Sequence, residues 1–529
     1  MFKVIATDGF DADGSAVFSD ASGIQLDIKK GVTAEEALAL IGEYDGLIVR
    51  SATKVTAALI EAGKKLKVIG RAGVGVDNVD VSAASRRGIV VMNTPEANTI
   101  STAEHTLAML FSLARRIPEA DASMKAGKWD KKNLKGVELL GKTLGVIGFG
   151  RIGRHVASVC KAMGMQVVAY DPMVSAERVA EAGARPVPLD ELFALSDFIT
   201  LHTPLNEQTK NLIRKDTIAK MKKGVRIVNC ARGGIVNEND ACDAIEAGLI
   251  AGMALDVYPK EPTDNARLKT VPQLVLTPHI AASTGEAESK VSVEIARQVV
   301  AFLKDGAIMN AVNVPALDSE KSRLMMPFVN LGAKLGSFLA QFAKGTVRDV
   351  AIAYEGTVAT MDVAPVTNAV MCGLLSHNLE GVNQVNARLL AAECGLKVTE
   401  SKTASAGAYT HLIRAEARLE KGDLVSVAAT IFGDEMQHSR IVRVNRFHVD
   451  VVPEGFLLIL PHRDAPGIIG KIGTILGNAR INISRMTCDR LTAGDKNVGV
   501  FSVDQNPSDS VLDAISKVEG VFDAVRVVL

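Results

Sequence analysis

The segment from residue 144 to residue 171 constrains the fold of this chain more than any other. An apolar run, LGVI, precedes glycines in the spacing G-x-G-x-x-G, and the stretch HVASVCKAMGM (155–165) and a second apolar run, QVVAYD (166–171), follow. The order of strand, glycine turn, helix, strand and terminal acid is that of the dinucleotide-binding βαβ unit. The segment therefore predicts the first half of a Rossmann-type domain.

The glycines and the acid have separate roles in such a unit. Gly148 permits the tight turn, Gly150 lets the backbone approach a pyrophosphate, and Gly153 lets the helix pack closely on the strand. The N-terminal end of the helix offers free N–H groups and a positive dipole end to the phosphates. Asp171 would accept from the ribose hydroxyls and repel a 2′-phosphate, which predicts NAD rather than NADP. The alternative for Asp171 is an exposed carboxylate at a strand end.

Length and composition limit the remaining possibilities. A chain of 529 residues is too long for one core, so two to four domains are expected. Lys+Arg and Asp+Glu both number 60, which favours neither nucleic acid nor an acidic membrane as a partner. The six cysteines are scattered without C-x-x-C pairs and predict reduced thiols rather than disulfides or a metal site. With no signal-peptide pattern and no run near the roughly 18 apolar residues of a membrane span, we expect a cytoplasmic protein.

Residues 2–97 alternate strand-like and helix-like segments, which predicts a parallel open sheet. Ligands of such sheets bind outside the carboxyl ends of the strands. Arg50 and Arg71 stand at two successive predicted strand ends, and Arg71 opens the glycine-rich stretch RAGVG. This pattern suits an anion, although the alternative is that both arginines are solvated. A long helix predicted from Ala97 to Arg116 would carry the chain to the second sheet.

Residues 140–282 form the second predicted α/β unit. Its strand ends would bring polar side chains to the edge where the dinucleotide lies, namely Thr203, Arg232, Asp256, Glu261 and His279. Oxidation of an alcohol by NAD needs a base for the hydroxyl proton, a cation for a neighbouring carboxylate, and an acid that orients the base. His279, Arg232 and Glu261 fit these roles in that order. The alternative for His279 is a polar residue packed at a strand end.

The C-terminal part of the chain divides into two segments. Residues 316–454 mix helix and strand patterns and predict an independent α+β domain. Residues 455–529 follow the order β-α-β-β-α-β, the split βαβ plan.

On these residues the chain resembles the D-isomer-specific 2-hydroxy acid dehydrogenases. The strings LGVIGFGRIG, VNCARGG, ALDVYPKEP and TPHIAAST carry the resemblance. RSATKV, RAGVGVDNVD and HRDAPGIIGKIGTILG bring it closer to members with a long C-terminal extension that act on 3-phospho-D-glycerate. The resemblance covers essentially the whole chain and is loosest over 316–454.

The resemblance implies an α/β fold with four domains. They are a flavodoxin-like substrate-binding domain (1–97 and 283–312), an inserted Rossmann-type NAD domain (98–282), an α+β intervening domain (313–454) and a ferredoxin-like βαββαβ ACT domain (455–529). An ACT domain is a sensor of small amino acids, so L-serine is implied as an effector.

The resemblance also implies roles for single residues. Arg232 would hold the substrate carboxylate, His279 would be the acid/base and Glu261 its partner. The implied cofactor contacts are Gly148, Gly150, Arg151, Ile152, Gly153, Asp171, Thr203, Cys230, Ala231, Asp256 and Val74. The implied substrate contacts are Arg50, Ser51 and Gly73. Separately from the resemblance, Lys131 in the basic loop 127–136 is predicted to give additional help at the phosphate, the alternative being a solvated basic loop. Asp464 and Asn482 would bind L-serine across an interface between two tails.

The implied reaction is the NAD-dependent oxidation of 3-phospho-D-glycerate to 3-phosphohydroxypyruvate, the first step of L-serine biosynthesis, in a dimer or tetramer. One alternative is an enzyme for another D-2-hydroxy acid, such as glycerate or lactate. A second alternative is an NAD-sensing binding protein that acts by docking to partners. The arginines on the substrate side and the tail that resembles an amino-acid sensor argue against the first alternative. Against the second, which the Arg–Glu–His set does not exclude, only the tail argues.

Overall fold

Short strands with buried aliphatic side chains build the first sheet, because helices cover both faces of a parallel sheet. The computed structural model describes residues 1–314, 319–433, 438–490 and 496–529, without the side chains of 319–323. The strands of the first unit are β1 (Phe2–Ala6), β2 (Ile24–Ile28), β3 (Gly46–Val49), β4 (Val68–Arg71) and β5 (Val90–Asn93). Its helices are α1 (Ala12–Ser19), α2 (Ala34–Leu40), α3 (Ala57–Ala62) and α4 (Val81–Arg86). The strands are parallel in the order β2-β1-β3-β4-β5, which confirms the predicted flavodoxin-like plan.

The second sheet has the predicted Rossmann plan. Its strands are β6 (Thr143–Ile147), β7 (Gln166–Tyr170), β8 (Arg185–Pro186), β9 (Phe198–Leu201), β10 (Val225–Asn229), β11 (Ile250–Leu255) and β12 (Leu274–Leu276). Its helices are α5 (Thr99–Arg115), α6 (Ile117–Lys125), α7 (Arg151–Ala162), α8 (Ala176–Glu181), α9 (Leu189–Leu195), α10 (Lys215–Ile218) and α11 (Glu238–Glu246). The parallel order β12-β11-β10-β9-β6-β7-β8 reverses direction between β6 and β9.

Two long helices carry the chain between these sheets. Helix α5 packs Ala103 and Leu110 into the core of the second sheet. Helix α12 (Gly285–Asp305) returns to the first sheet, where Ile295 and Val299 pack beside Gly70. The second unit is therefore inserted into the first, while the domain limits at 97 and 283 stay a prediction.

The C-terminal half contains two further sheets. The intervening part comprises α13 (Ser319–Phe342), β13 (Val347–Gly356), α14 (Ala364–Leu375), α15 (Ala387–Glu393), β14 (Lys397–Thr403), β15 (His411–Leu419), β16 (Leu424–Phe432), β17 (His438–Val444) and β18 (Phe447–Val451). The tail comprises β19 (Phe456–Arg463), α16 (Ile468–Asn478), β20 (Ile483–Arg490), β21 (Lys496–Val503), α17 (Asp509–Ser516) and β22 (Val525–Val528). The tail sheet is antiparallel in the order β20-β21-β19-β22, as the split βαβ plan requires.

The prediction of an independent intervening domain is wrong in one respect. Leu457 and Ile459 of the tail belong to the same buried apolar cluster as Val350 and Leu339 of the intervening part. The Gln341 side chain on α13 also donates to the Val528 carbonyl and accepts from its N–H, both at 2.9 Å. The two C-terminal sheets therefore share one core.

The first sheet contains one strand that the sequence pattern did not predict. Strand β2 was not among the predicted strands, because its exposed edge position leaves a mixed polar and apolar sequence, IQLDI. Within the described ranges, no helix is long and apolar enough to span a membrane.

Candidate active site

The glycine turn after β6 lies where the order of the second sheet reverses. Gly148 has φ +91°, and a Cβ there would lie 2.6 Å from the carbonyl oxygen of His202. A Cβ on Gly153 would overlap the carbonyl oxygen of Gly148. Gly150, just before α7, has no atom within 4 Å of such a Cβ. The fold thus requires Gly148 and Gly153, whereas Gly150 leaves open space before the helix N-terminus, where a pyrophosphate fits.

Two polar groups beside this turn suit the rest of a dinucleotide. Asp171 accepts from the N–H of Phe149 at 2.7 Å and from the N–H of Met173 at 2.8 Å, so its carboxylate is fixed against the glycine turn. The Thr203 hydroxyl, after β9, is buried without a hydrogen-bond partner. Because buried polar groups are nearly always paired, this hydroxyl fits a contact with a bound cofactor.

The remaining predicted cofactor residues differ in their burial and in their present hydrogen-bond or ion-pair partners. Arg151 at the start of α7 pairs with Glu96 on the segment between the domains, with 2.6 Å between Nη2 and Oε1. Ile152 and Ala231 are half-buried, and Val74 accepts from the Asn93 side chain at 2.6 Å.

Cys230 follows β10 directly and is buried. Burial raises its pKa to about 12, with a smaller contribution from the Asp256 carboxylate. A thiol with this pKa stays protonated near neutral pH, which argues against a nucleophilic role, and the contact of Cys230 with the cofactor stays a prediction.

His279 and Glu261 meet as predicted. His279 Nδ1 lies 2.7 Å from Glu261 Oε2, and the other carboxylate oxygen accepts from the N–H of Tyr258 at 3.1 Å. Because Nδ1 is used in this way, Nε2 is the ring nitrogen left for a substrate. About half of the His279 side chain (46%) is exposed, so it is accessible from the cleft.

Asp256 holds the backbone around this histidine. One carboxylate oxygen accepts from the Thr277 hydroxyl at 2.6 Å and from the N–H of Ile280 at 2.9 Å, while the other accepts from the N–H of Ala281 at 2.9 Å. His279 lies between these donors with φ +56°, a left-handed conformation that the bonds on both sides enforce.

The environment of Asp256 bears on its predicted role. Burial alone would raise the pKa of this carboxyl, but hydrogen bonds from His105, Thr277 and the two backbone N–H groups outweigh burial and lower the pKa. The side chain is fully buried and directed at the His279 loop. Its contact with the nicotinamide stays a prediction, whereas its support of the loop is visible in the structure.

Three arginines converge on the substrate side of the cleft. Cβ atoms on Gly73 and Gly75 would overlap the guanidinium groups of Arg71 and Arg232, so both groups lie against the glycine turn after β4. Burial and, to a smaller extent, the positive charges of Arg232 and Arg50 together lower the pKa of Arg71 to about 10, against the opposing effect of nearby carboxylates. The buried Arg71 Nε has no partner. This arrangement suits an anionic ligand.

Two of these arginines already have carboxylate partners. Arg232 Nε lies 3.1 Å from Asp77 Oδ2, which joins the second domain to the first, and Arg50 Nη2 lies 2.8 Å from Glu288 Oε1 on α12. Both pairs are partly exposed, so an incoming anion can replace the carboxylates at small cost.

Asp8 and Asn78 are functional-site residues that the sequence interpretation missed. Asp8 accepts from the N–H groups of Arg50 and Thr53, and the Asn78 side chain donates to the carbonyl oxygens of the same two residues at 2.8 and 2.7 Å. The tip of this loop, where Ser51 lies exposed, is thereby held between them. The polar pair Asp77-Asn78 at the end of RAGVGVDN was the available signal for Asn78, and the acid two residues after β1 was the signal for Asp8.

The predicted contact of Lys131 with substrate is not supported within one chain. Its loop is fastened near Asn133, whose carbonyl oxygen accepts from Arg116 beyond the end of α5. Ser101, in the first turn of that helix, bonds Thr284 near the cleft. At 1.5 Å per residue the two ends of the helix are about 22 Å apart. Lys131 therefore lies away from the arginines of its own chain.

The predicted effector residues lie in the tail and have partners there. Arg490 pairs with Asp464 at 2.7 Å, and the Asn482 side chain donates to Asp504 at 2.7 Å. Among the described residues, no cluster of three or more His, Cys, Asp or Glu side chains could hold a metal ion.

Known proteins share this architecture. Residues 107–281 match the family model of the D-isomer specific 2-hydroxyacid dehydrogenase NAD binding domain, and residues 324–445 match that of the D-3-phosphoglycerate dehydrogenase intervening domain. A D-3-phosphoglycerate dehydrogenase from Synechocystis is 43% identical over 100% of this chain and 95% of its own length. The chain belongs to the D-3-phosphoglycerate dehydrogenase family. Another member of the family, from Archaeoglobus fulgidus, is 44% identical over 96% of both chains.

Solved structures extend the relation to the wider family of dehydrogenases. The D-lactate dehydrogenase of Aquifex aeolicus, complexed with NAD and lactic acid, is 30% identical with a TM-score of 0.54, covering 59% of this chain and all of that chain. An NAD-dependent formate dehydrogenase from Staphylococcus aureus, in complex with NAD, is 29% identical with a TM-score of 0.53, covering 58% of this chain and 98% of that one. As a D-3-phosphoglycerate dehydrogenase family member, the chain carries an NAD-binding domain, and NAD is its cofactor.

Proposed function

We propose that this protein oxidises 3-phospho-D-glycerate to 3-phosphohydroxypyruvate with NAD⁺, the first step of L-serine biosynthesis. The observation that carries the proposal is the convergence of Arg50, Arg71 and Arg232 beside the His279–Glu261 pair. A substrate with a carboxylate at one end and a phosphate at the other needs more positive charge than a simple hydroxy acid does. Bidentate guanidinium groups match both anions.

The proton transfer would be carried out by His279. When bound, NAD⁺ supplies the acceptor for the hydride that leaves the substrate carbon. His279 Nε2 takes the hydroxyl proton, while Nδ1–H donates to Glu261 and so keeps the ring oriented. Glu261 then stabilises the imidazolium that forms. The bonds from Asp256 to the loop hold the imidazole in place during the transfer.

The substrate would be oriented by the arginines. Arg232 exchanges Asp77 for the substrate carboxylate next to the reacting carbon. Arg50 and Arg71, with the Ser51 loop, take the phosphate. Because both ends are anchored, the hydroxyl-bearing carbon is presented in one orientation, which converts binding energy into a favourable geometry for reaction.

A substrate panel tests this function against another D-2-hydroxy acid. NADH absorbance is followed with 3-phospho-D-glycerate, D-glycerate and D-lactate at equal concentrations. We expect kcat/KM for the phosphorylated acid to exceed that for D-glycerate by at least about a hundredfold, because two charge-assisted contacts are lost without the phosphate. Equal values for the two acids would contradict the proposal. Binding of NAD with no turnover of any acid would favour the sensing protein instead.

We propose further that the tail binds L-serine and that the protein is a cytoplasmic homo-oligomer, a dimer or a tetramer. The support for serine is the helix α16 that begins after Pro466 and Gly467, next to Asp464, because its N-terminal end suits a carboxylate. The Asp464–Arg490 pair is partly exposed, so the ligand's ammonium would compete with Arg490. The exposed edge strand β20 offers unpaired backbone groups to a second copy. Light scattering with and without serine tests the assembly.

A further inference from the structure

The short helix α4 ends against another domain. The Asn383 side chain of the intervening part donates to the carbonyl oxygen of Gly88 at 2.8 Å, and the Asn386 side chain donates to that of Arg86 at 3.5 Å. The last carbonyl groups of a helix have no partner within the helix and need one outside it. Here the Asn386 amide supplies one for Arg86, the last residue of α4, and the Asn383 amide bonds Gly88, two residues beyond the helix.

Hydrogen bonds within the loop 383–386 orient the two amides that contact α4. Asn383 Oδ1 accepts from the N–H of Val385 at 2.9 Å, and Asn386 Oδ1 accepts from the N–H of Asn383 at 2.8 Å, so the two amides are oriented by their own loop. Only 3% of Asn386 is exposed, and Val385 packs on the apolar cluster beneath the first sheet. A Cβ on Gly88 would overlap the Asn383 amide. The contact is therefore closely fitted on both sides.

The other end of α4 leads directly to the substrate side of the cleft. Asp80 caps the helix by accepting from the N–H of Ala83 at 2.9 Å. The residues before it, Asp77 and Asn78, pair with Arg232 and hold the 50–53 loop respectively. With six residues and 1.5 Å per residue, α4 is a rigid segment of about 9 Å between the two contacts.

We propose that Asn383 and Asn386 are positioning residues for substrate binding, which act on the active site through α4. By fixing the C-terminal end of this helix they fix the 73–78 turn, and with it the separation of Arg50 and Arg232. A shift of the intervening domain therefore changes the affinity for the substrate and leaves the NAD site after β6 unaffected. The inference rests on the proposed function, because it assigns the 73–78 turn to substrate binding.

The substitution Asn383→Asp isolates the contact between domains. It keeps the oxygen that accepts from Val385 but removes the N–H that donates to Gly88. We expect KM for 3-phospho-D-glycerate to rise roughly three- to tenfold, as for the loss of one buried hydrogen bond, with KM for NAD unchanged. Asn378→Asp adds the same charge at an exposed position of the same domain and serves as the matched control. Asn383→Ala, which removes the donor without adding charge, should reproduce the rise.

Hydrogen exchange of the full chain gives a readout that does not depend on turnover. We expect Asn383→Asp to increase exchange in residues 73–88 relative to Asn378→Asp. An increase confined to residues 379–388, or equal rises in KM for substrate and NAD, would overturn the proposal and leave Asn383 a local stabiliser. If the wild-type protein does not oxidise 3-phospho-D-glycerate, the proposed function fails, while the exchange pattern still decides whether α4 couples the two regions.

Discussion

At the scale of single residues, the imidazole of His279 depends on two carboxylates with different tasks. Glu261 bonds the ring, and Asp256 bonds the backbone on either side of it. Only the first carboxylate is placed to stabilise a charge on the ring, because the second is used up by backbone and hydroxyl donors. The pair and its support therefore contribute separately to catalysis.

The substitution His279→Ala tests the proposed base. We expect kcat to fall by roughly 10²- to 10⁴-fold, the usual contribution of general acid–base catalysis, while NAD binds as in the wild type. NADH absorbance gives the first quantity and calorimetric titration with NAD the second. His155→Ala, on the outer part of α7, is the control and should leave both unchanged. Undiminished turnover in His279→Ala would refute its role as the base.

At the scale of elements, the junction of β6 and α7 separates the demands of folding from those of binding. Gly153 is required where helix and strand meet, whereas Gly150 borders open space. The two glycines of one motif thus have different physical roles: a side chain at Gly153 would collide with the protein, whereas one at Gly150 would enter the space proposed for the pyrophosphate.

Alanine substitutions at these two glycines should therefore affect different properties, namely stability at Gly153 and NAD binding at Gly150. We expect Gly153→Ala to lower the free energy of unfolding by about 1–3 kcal/mol, because the added methyl group forces α7 away from the turn. Gly150→Ala should unfold like the wild type in urea and yet bind NAD at least about tenfold more weakly. Urea denaturation and NAD titration of both variants provide the comparison. Equal stability of the two variants would contradict this division of roles.

The stability of the protein should depend on pH through Asp256, which holds the loop between β12 and α12. Its pKa is lowered in the folded state, so its contribution to stability is present above the ordinary pKa and is lost as the pH falls through the folded value. We expect Asp256→Asn to lower the free energy of unfolding by about 1–3 kcal/mol at pH 7. This loss relative to the wild type should shrink below about pH 4. Urea denaturation at several pH values measures it. A difference that stays constant down to pH 3 would exclude Asp256 as its source.

At the scale of the whole molecule, the C-terminal half is joined to the rest by specific contacts rather than by a bare linker. The tail shares a core with the intervening part, and the intervening part holds α4 of the first domain. A change in the tail therefore has a continuous path of packed groups towards the substrate side of the cleft.

This shared core determines how serine regulation must be tested. Removing residues 455–529 should expose the apolar cluster around Leu339 and Val350, lowering the melting temperature and promoting aggregation. Asn482→Ala should leave the melting temperature within about 2 °C and abolish inhibition by serine. Thermal unfolding together with assays over a range of serine concentrations distinguishes the two variants. Unchanged inhibition in Asn482→Ala would remove this residue from the effector site.

Much of the architecture was predictable from the sequence because it depends on neighbours along the chain. The glycine spacing, the alternation of strands and helices, and the strand ends at Arg232 and His279 are local patterns, and the strand orders of the first two sheets follow from the few topologies such patterns permit. The edge strand β2 was not predicted because its polar residues interrupt the run of apolar side chains that marked the other strands. Lys131 was assigned from the basic character of its loop, which sets no local constraint on where that loop lies.

What the sequence by itself determined is the set of chemical groups: a dinucleotide turn, an imidazole with an acid, and arginines for an anion. Only the tertiary structure decided which groups meet. Asp77 reaches Arg232 across 155 positions of the chain, Glu288 reaches Arg50 across 238, and Asn383 reaches Gly88 across 295. Such contacts depend on how whole domains pack, and residue patterns of a few turns or strands carry no information about packing over that distance.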